Sequence, residues 1–212
     1  MLGYQIIPVT SFQQNCSLVW CDQTSEAVLI DPGGDMELLL AAIESQRLKL
    51  TAIWLTHGHL DHIGATAELV KQFEIPVIGP HKDDLFLFQA IPMQVEMFAF
   101  PSVEKFIPDQ WLDETQILKL GNEQFSILHT PGHTPGHIVF KYEPQKLLWV
   151  GDVLFQGGIG RTDFPRGDYN QLIASIKDKL MSLDDNYQFI PGHGPESSIG
   201  NERMNNPFLQ SP

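Results

Sequence analysis

Three histidines and an aspartate fall within six residues, at His57, His59, Asp61 and His62, directly after the apolar run Ala52-Ile53-Trp54-Leu55. Donors this close in sequence suit a cation that takes nitrogen and oxygen ligands, and any fold open to the chain must hold them at the end of a strand. Side chains alternate along an extended segment, so His57, His59 and Asp61 can converge while His62 turns away. One ion does not comfortably use all four. The spacing points to two adjacent ions, one taking His57 and His59 and the other Asp61 and His62, if the rest of the chain supplies more donors.

It does, in short glycine-marked turns after apolar runs: His133 in Thr130-Pro131-Gly132-His133, Asp152 in Val150-Gly151-Asp152, and His193 in Pro191-Gly192-His193-Gly194. A single histidine in a turn is ordinarily solvated or capping. Seven donors of metal-binding type, each after a predicted strand, are not explained that way. A water held between two cations loses a proton near neutral pH, which gives a nucleophile without a separate strong base. Asp152 is the natural carboxylate to bridge the pair.

At 212 residues the chain is expected to form one domain with a substantial core. No apolar stretch approaches the length of a membrane span, and Met1-Leu2-Gly3-Tyr4-Gln5 lacks the basic start of a secretory signal, so the expected compartment is the cytoplasm. The cysteines, Cys16 and Cys21, form no Cys-x-x-Cys pair and are expected as buried free thiols. A net charge of −13 argues against nucleic-acid binding, which draws its affinity from clustered Lys and Arg.

Strand-like runs are predicted at 5–9, 17–20, 27–30 and 52–55, with helices at about 35–47 and 65–73 and a short strand at 76–79. The second half repeats the theme with strands at 124–128, 138–142, 147–150 and 187–190, and a helix at about 169–181 that puts Leu172, Ile173, Ile176 and Leu180 on one face. Two such halves, strands inward and helices outward, form an α/β sandwich of four layers, αββα, with the strand-end turns at one edge. Residues 83–110 carry Phe86, Phe88, Met93, Met97, Phe98, Phe100 and Phe106 without a sustained period, and are expected either to cover one end of the core or to form a lid.

The His-x-His-x-Asp-His run, followed in order by the Gly-His, Gly-Asp and Gly-His turns, resembles the metallo-β-lactamase superfamily, from Asp31-Pro32-Gly33-Gly34 to Pro191-Gly192-His193-Gly194-Pro195. The stretches Phe12-Gln13-Gln14-Asn15-Cys16, Gly157 to Phe164 and Asn206-Pro207-Phe208-Leu209 look most like a compact bacterial subgroup of glyoxalase II, the hydroxyacylglutathione hydrolases. The resemblance implies a metallo-β-lactamase-like domain over 1–212, without the C-terminal helical domain that supplies part of the glutathione site in longer glyoxalase II enzymes. It implies a first ion on His57, His59 and His133, a second on Asp61, His62 and His193, and Asp152 on both. Zinc is the first expectation, and iron and manganese also suit these ligands.

The implied activity is metal-dependent hydrolysis of S-D-lactoylglutathione or related 2-hydroxyacyl thioesters, with Asp61 handling protons and Arg161 pairing with a substrate carboxylate; Arg166 is a weaker second candidate. A thiolate leaves without a proton and an amide nitrogen does not, which favours a thioester over a lactam. Asp31 is expected either to orient a ligand histidine or simply to form a turn. His137 is expected to support the site rather than ligate, and His81 and His129 to stand outside it. A monomer without nucleic-acid or membrane partners is expected. The rival readings are a persulfide dioxygenase, with a single iron at the equivalents of His57, His133 or Asp152, and a metal-dependent binding or sensing domain without turnover.

Overall fold

The structure is a computed structural model and describes residues 1–210. Strands β1 (Leu2–Val9), β2 (Gln14–Cys21), β3 (Glu26–Ile30), β4 (Lys49–Trp54) and β5 (Val77–Ile78) make one sheet in that spatial order, antiparallel up to β3 and parallel beyond it. The second half supplies β6 (Ile117–Leu120), β7 (Glu123–His129), β8 (Ile138–Tyr142), β9 (Leu147–Gly151), a small ribbon of β10 (Leu154–Phe155) and β11 (Gly158–Ile159), then β12 (Gln188–Pro191) and β13 (Ser197–Ser198). Its sheet runs β13-β12-β9-β8-β7-β6, with β9 and β12 parallel.

Alternation along each strand assigns its residues to layers. In β3, Ala27 and Leu29 face one way into a cluster with Leu39, Ile43, Leu69, Phe88 and Ile91 of the covering helices, and Val28 and Ile30 face the other sheet. In β9, Leu148 and Val150 pack on Leu172, Ile176 and Leu180, and Leu147 and Trp149 point into the space between the sheets. The outer layers are α1 (Met36–Ser45), α2 (Leu60–Ile63), α3 (Thr66–Phe73), α4 (Leu85–Gln89) and α5 (Ile91–Phe98) on one side, and α6 (Tyr169–Ser175) and α7 (Ile199–Asn205) on the other. This is the expected αββα sandwich. Its middle layer is aromatic: Trp54 meets Phe125 edge-on at 5.0 Å and Phe140 at 5.3 Å, and Phe125 lies 5.9 Å from Trp149.

The expected elements recur with shifted ends. The helix read at 169–181 is an α-helix that passes into a π-helical turn at Ile176–Leu180, where the Met181 N–H reaches back five residues to the Ile176 carbonyl. The wider turn keeps Leu172, Ile176 and Leu180 buried at four-residue spacing, while Ile173 is only half-buried. Strand β6, the β10–β11 ribbon, β13 and helices α2, α4, α5 and α7 were not anticipated, being too short, too polar or too aperiodic to read. Within residues 83–110, Leu87, Phe88 and Ile91 are buried in the core, as the covering role expects, and Phe98 and Phe100 border a cavity.

Parallel pairing puts the carboxyl ends of β3 and β4, and of β9 and β12, at one edge, where such sheets leave room for chemistry. Backbone bonds clasp the two sheets there: the Asn15 N–H donates to the Gly192 carbonyl at 2.7 Å, and the Ile138 N–H to the Thr56 carbonyl at 2.9 Å. No helix among the described residues is long and apolar enough to cross a membrane. Trp54→Ala, at the centre of the aromatic layer, is expected to cost about 3–5 kcal/mol of unfolding free energy, while Leu38→Ala on the exposed face of α1 stays within about 0.5 kcal/mol. Urea denaturation of the two variants checks this.

Candidate metal centre

The segment after β4 carries His57 and His59 in a loop and Asp61 and His62 on the short helix α2, so the chain is not extended there and His62, expected to turn away, turns inward beside Asp61; the β7–β8 loop brings His133, the turn after β9 brings Asp152, and the turn after β12 brings His193. Two groups result, His57 with His59 and His133, and Asp61 with His62 and His193. Asp152 lies between them: its Oδ2 is 3.7 Å from His133 Nε2 and 3.7 Å from His193 Nε2, and its Oδ1 is 3.3 Å from His62 Nε2. His59 Nδ1 and His133 Nε2 are 2.9 Å apart, and His193 Nε2 and Asp61 Oδ2 3.1 Å apart. Ligands about 2.0–2.1 Å from a tetrahedral zinc stand roughly 3.4 Å from each other, and these separations bracket that value. His57 Nε2, His62 Nε2 and Asp152 Oδ1 are buried with no hydrogen-bond partner, a costly arrangement that fits atoms reserved for a cation. A Cβ at Gly192 would overlap Asp152 Oδ1 and the His62 ring, so only glycine lets the β12 turn come this close.

Hydrogen bonds settle which imidazole nitrogen faces inward. His133 Nδ1 donates to the Arg161 carbonyl at 2.7 Å and His193 Nδ1 to the Phe12 carbonyl at 3.1 Å, so Nε2 of each is the free acceptor. Asp31 takes the Thr56 N–H on Oδ1, and on Oδ2 the Thr56 hydroxyl at 2.6 Å and His62 Nδ1–H at 3.0 Å. Having donated to Asp31, the Thr56 hydroxyl accepts from His57 Nδ1, 3.0 Å away. One carboxylate thus fixes a histidine in each group, which is more than a turn-forming role.

Burial lowers His57 and His133, and brings His59 down to about 3, so these imidazoles are neutral and able to ligate. His62 goes the other way: burial would lower it, but Asp152 and Asp61 beside it raise it above the usual histidine range. Both carboxylates are held ionised. Burial would raise them, and the neighbouring His62 pulls each below its ordinary value.

His137 stands where the sequence placed it, in support. Its ring stacks on His57 at 4.7 Å and its Nε2 accepts the Asp152 N–H at 3.1 Å, holding the turn that aims the carboxylate. His81 and His129 stack on one another at 4.3 Å, apart from the seven donors. Sequence reasoning missed Asp84. Fully buried, it accepts the Gly58 N–H at 3.0 Å, the Thr134 hydroxyl at 2.9 Å and the Gly136 N–H at 2.6 Å, so it ties the loop between His57 and His59 to the loop after His133. Burial pushes its carboxyl up to about 7 against the pull of these donors. Its signal in the sequence, one acid of a Lys-Asp-Asp surface turn, is indistinguishable from a solvated charge.

A cavity of about 370 Å³ opens over the donors, bordered by His59, Asp61, Asp152 and His193, by a group of phenylalanines, and by Arg161 at the rim. Arg161 is bonded bidentately to Asp163 at 2.9 and 2.7 Å and lies 4.4 Å over the Phe164 ring. Arg166 stacks on Phe86 at 4.3 Å and does not line the cavity.

Residues 9–193 match the family described as the metallo-beta-lactamase superfamily. This chain belongs to that superfamily. Among its relatives, hydroxyacylglutathione hydrolase GloC of Haemophilus influenzae is 52% identical over 99% of both chains. Of solved structures, BLEG-1 B3 metallo-beta-lactamase superposes with a TM-score of 0.91 at 37% identity, covering 99% of this chain and 100% of its own. TTHA1623, solved in a di-iron-bound form, gives 0.88 at 37% identity over 97% of this chain and 100% of that one.

Asp84→Ala is expected to weaken cobalt or zinc binding at the His57, His59 and His133 group by roughly 10- to 100-fold, the usual loss when a group orienting ligands is removed. Competition with a chelator, followed by the cobalt spectrum, reads this directly. Wild-type affinity at both positions would reduce Asp84 to packing.

Proposed function

We propose that this protein hydrolyses 2-hydroxyacyl thioesters of glutathione, S-D-lactoylglutathione among them, to glutathione and the free 2-hydroxy acid. The observation that carries the reading is Asp152 Oδ2, set 3.7 Å from a histidine of each group, the placement of a carboxylate shared by two ions. The 52% identity to a protein named hydroxyacylglutathione hydrolase supports the substrate class. His57, His59 and His133 would hold one divalent cation and Asp61, His62 and His193 the other, with Asp152 on both; zinc is the first choice, and iron and manganese fit the same donors. When bound, two such ions supply a water acidified to hydroxide near neutral pH and an electrophile for the carbonyl oxygen.

The protein's own groups do the rest. Asp61 borders the cavity, and its Oδ2 sits 3.1 Å from His193, so an ionised carboxylate is on hand to take a proton as the C–O bond forms. The C–S bond then breaks and the sulfur leaves as thiolate. A thiolate leaves without a proton, whereas an amide nitrogen would have to recover one from Asp61, which favours a thioester over a lactam. Arg161 at the rim would pair with a carboxylate of the thiol carrier once Asp163 gives way. A single-iron dioxygenase would leave Asp61, His62 and His193 without purpose. The same reading takes the protein as a cytoplasmic monomer acting on a small molecule and not on nucleic acid, which a net charge of −13 disfavours.

The test is hydrolysis of S-D-lactoylglutathione by protein of measured metal content. Turnover with nearly two ions per chain, lost on chelation and restored by zinc, is the expected result; a fully loaded protein that leaves the thioester intact would sink the reading. Asp152→Ala is expected to bind less metal and to lose more than about a hundredfold in kcat, since loss of a mere orienting partner already costs 10- to 100-fold. For Arg161→Ala the expectation is a raised KM for glutathione thioesters with kcat little changed, the mark of lost ground-state binding.

A further inference from the structure

The cavity over the donors is walled by phenylalanines drawn from separate stretches of the chain. Phe164 packs edge-on to the His59 ring at 5.0 Å, Phe98 meets Phe164 at 6.2 Å, and Phe12 meets Phe98 at 6.5 Å and stacks on Phe100 at 5.9 Å. On the opposite side Phe155 stands 6.4 Å from His193. These rings come from the β1–β2 turn, the end of α5 and the segment after it, strand β10, and the loop after β11. Their faces and edges are spaced as aromatic pairs are, and a further ring placed among them finds partners at the same 4.5–7 Å that such pairs favour.

The polar side of the cavity is meagre by comparison. Arg161 is the one cation on the lining; its side chain is 65% exposed and already bonded at both ends to Asp163. A carboxylate of glutathione must displace Asp163 to reach it, exchanging one exposed ion pair for another with little net gain. A lactoyl group offers the phenylalanine wall a single methyl and leaves most of those ring surfaces without an acyl partner.

We infer that the aromatic belt of Phe12, Phe98, Phe100 and Phe164 reads the acyl group, so that the preferred substrates are thioesters of bulky, apolar and above all aromatic 2-hydroxy acids, with the thiol carrier read weakly. This rests on the hydrolase reading and names its substrate class. The bond changes are those of thioester hydrolysis: water adds to the acyl carbon, C–S breaks, and the thiol leaves with a proton. Selectivity arises because each added methylene or ring edge leaves water for the belt, worth about fourfold per buried methylene.

The test compares zinc-loaded protein on glutathione thioesters of lactate, 2-hydroxybutyrate, 2-hydroxyhexanoate and mandelate, each rate divided by that ester's hydroxide-catalysed rate. Normalised kcat/KM is expected to rise about fourfold per methylene and at least about tenfold from lactoyl to mandeloyl. The mandeloyl thioester of N-acetylcysteamine should stay within about tenfold of the glutathione ester. Calorimetry gives a readout apart from turnover: S-benzylglutathione is expected to bind at least about tenfold more tightly than S-methylglutathione. Phe98→Ala should compress the mandeloyl-to-lactoyl ratio, and Phe98→Leu should recover part of it. Turnover that is flat or falling along the series, with S-benzylglutathione binding no tighter, overturns the acyl assignment and leaves the hydrolase standing. Absence of turnover on every thioester removes the hydrolase reading and this one with it.

Discussion

Five imidazoles and two carboxylates sit at the open edge of this protein with their donor atoms converging, and nearly everything around them serves to hold that arrangement. Polar groups buried in this way are costly unless something meets them, and His57 Nε2, His62 Nε2 and Asp152 Oδ1 make no hydrogen bond within the protein itself. The outer nitrogens of four of the five imidazoles are engaged. Thr56, Asp31, the Arg161 carbonyl and the Phe12 carbonyl take the Nδ1 hydrogens of His57, His62, His133 and His193 in turn. This fixes ring orientation and tautomer together. A ligand set rigid before a cation arrives loses little freedom on binding it.

The same need explains the architecture. The donors are contributed by both sheets, the β4 turn on one side and the β7–β8, β9 and β12 turns on the other, so the centre exists only where the two sheet edges meet. The aromatic layer around Trp54 and Trp149 holds the sheets face to face, and the clasps from Asn15 to Gly192 and from Ile138 to Thr56 close the edge. Asp84 adds a third tie, between the loops that carry His57, His59 and His133. Above the centre the character changes from polar to aromatic, and Arg161 sits at the boundary with its charge already answered by Asp163.

The sequence by itself determined the layers and the donors. The continuous apolar runs of β3 and β9, and the four-residue spacing along α6 and the π-helical turn after it, are local patterns that depend on which faces are covered, and a strand followed by Gly-His or Gly-Asp announces a donor at its end. Tertiary structure alone decided how the donors divide into groups, because Asp152 lies almost 100 residues beyond His57 in sequence and its two oxygens acquire their neighbours only when the sheets close. It alone settled that Asp31 orients a histidine as well as forming a turn, and that Asp84 is a tie rather than a surface charge, since a buried carboxylate is known by the donors that surround it. And it alone placed Phe12, Phe98 and Phe164 on one wall. An aperiodic aromatic carries no address in the sequence; packing between two loops and a helix end gives it one.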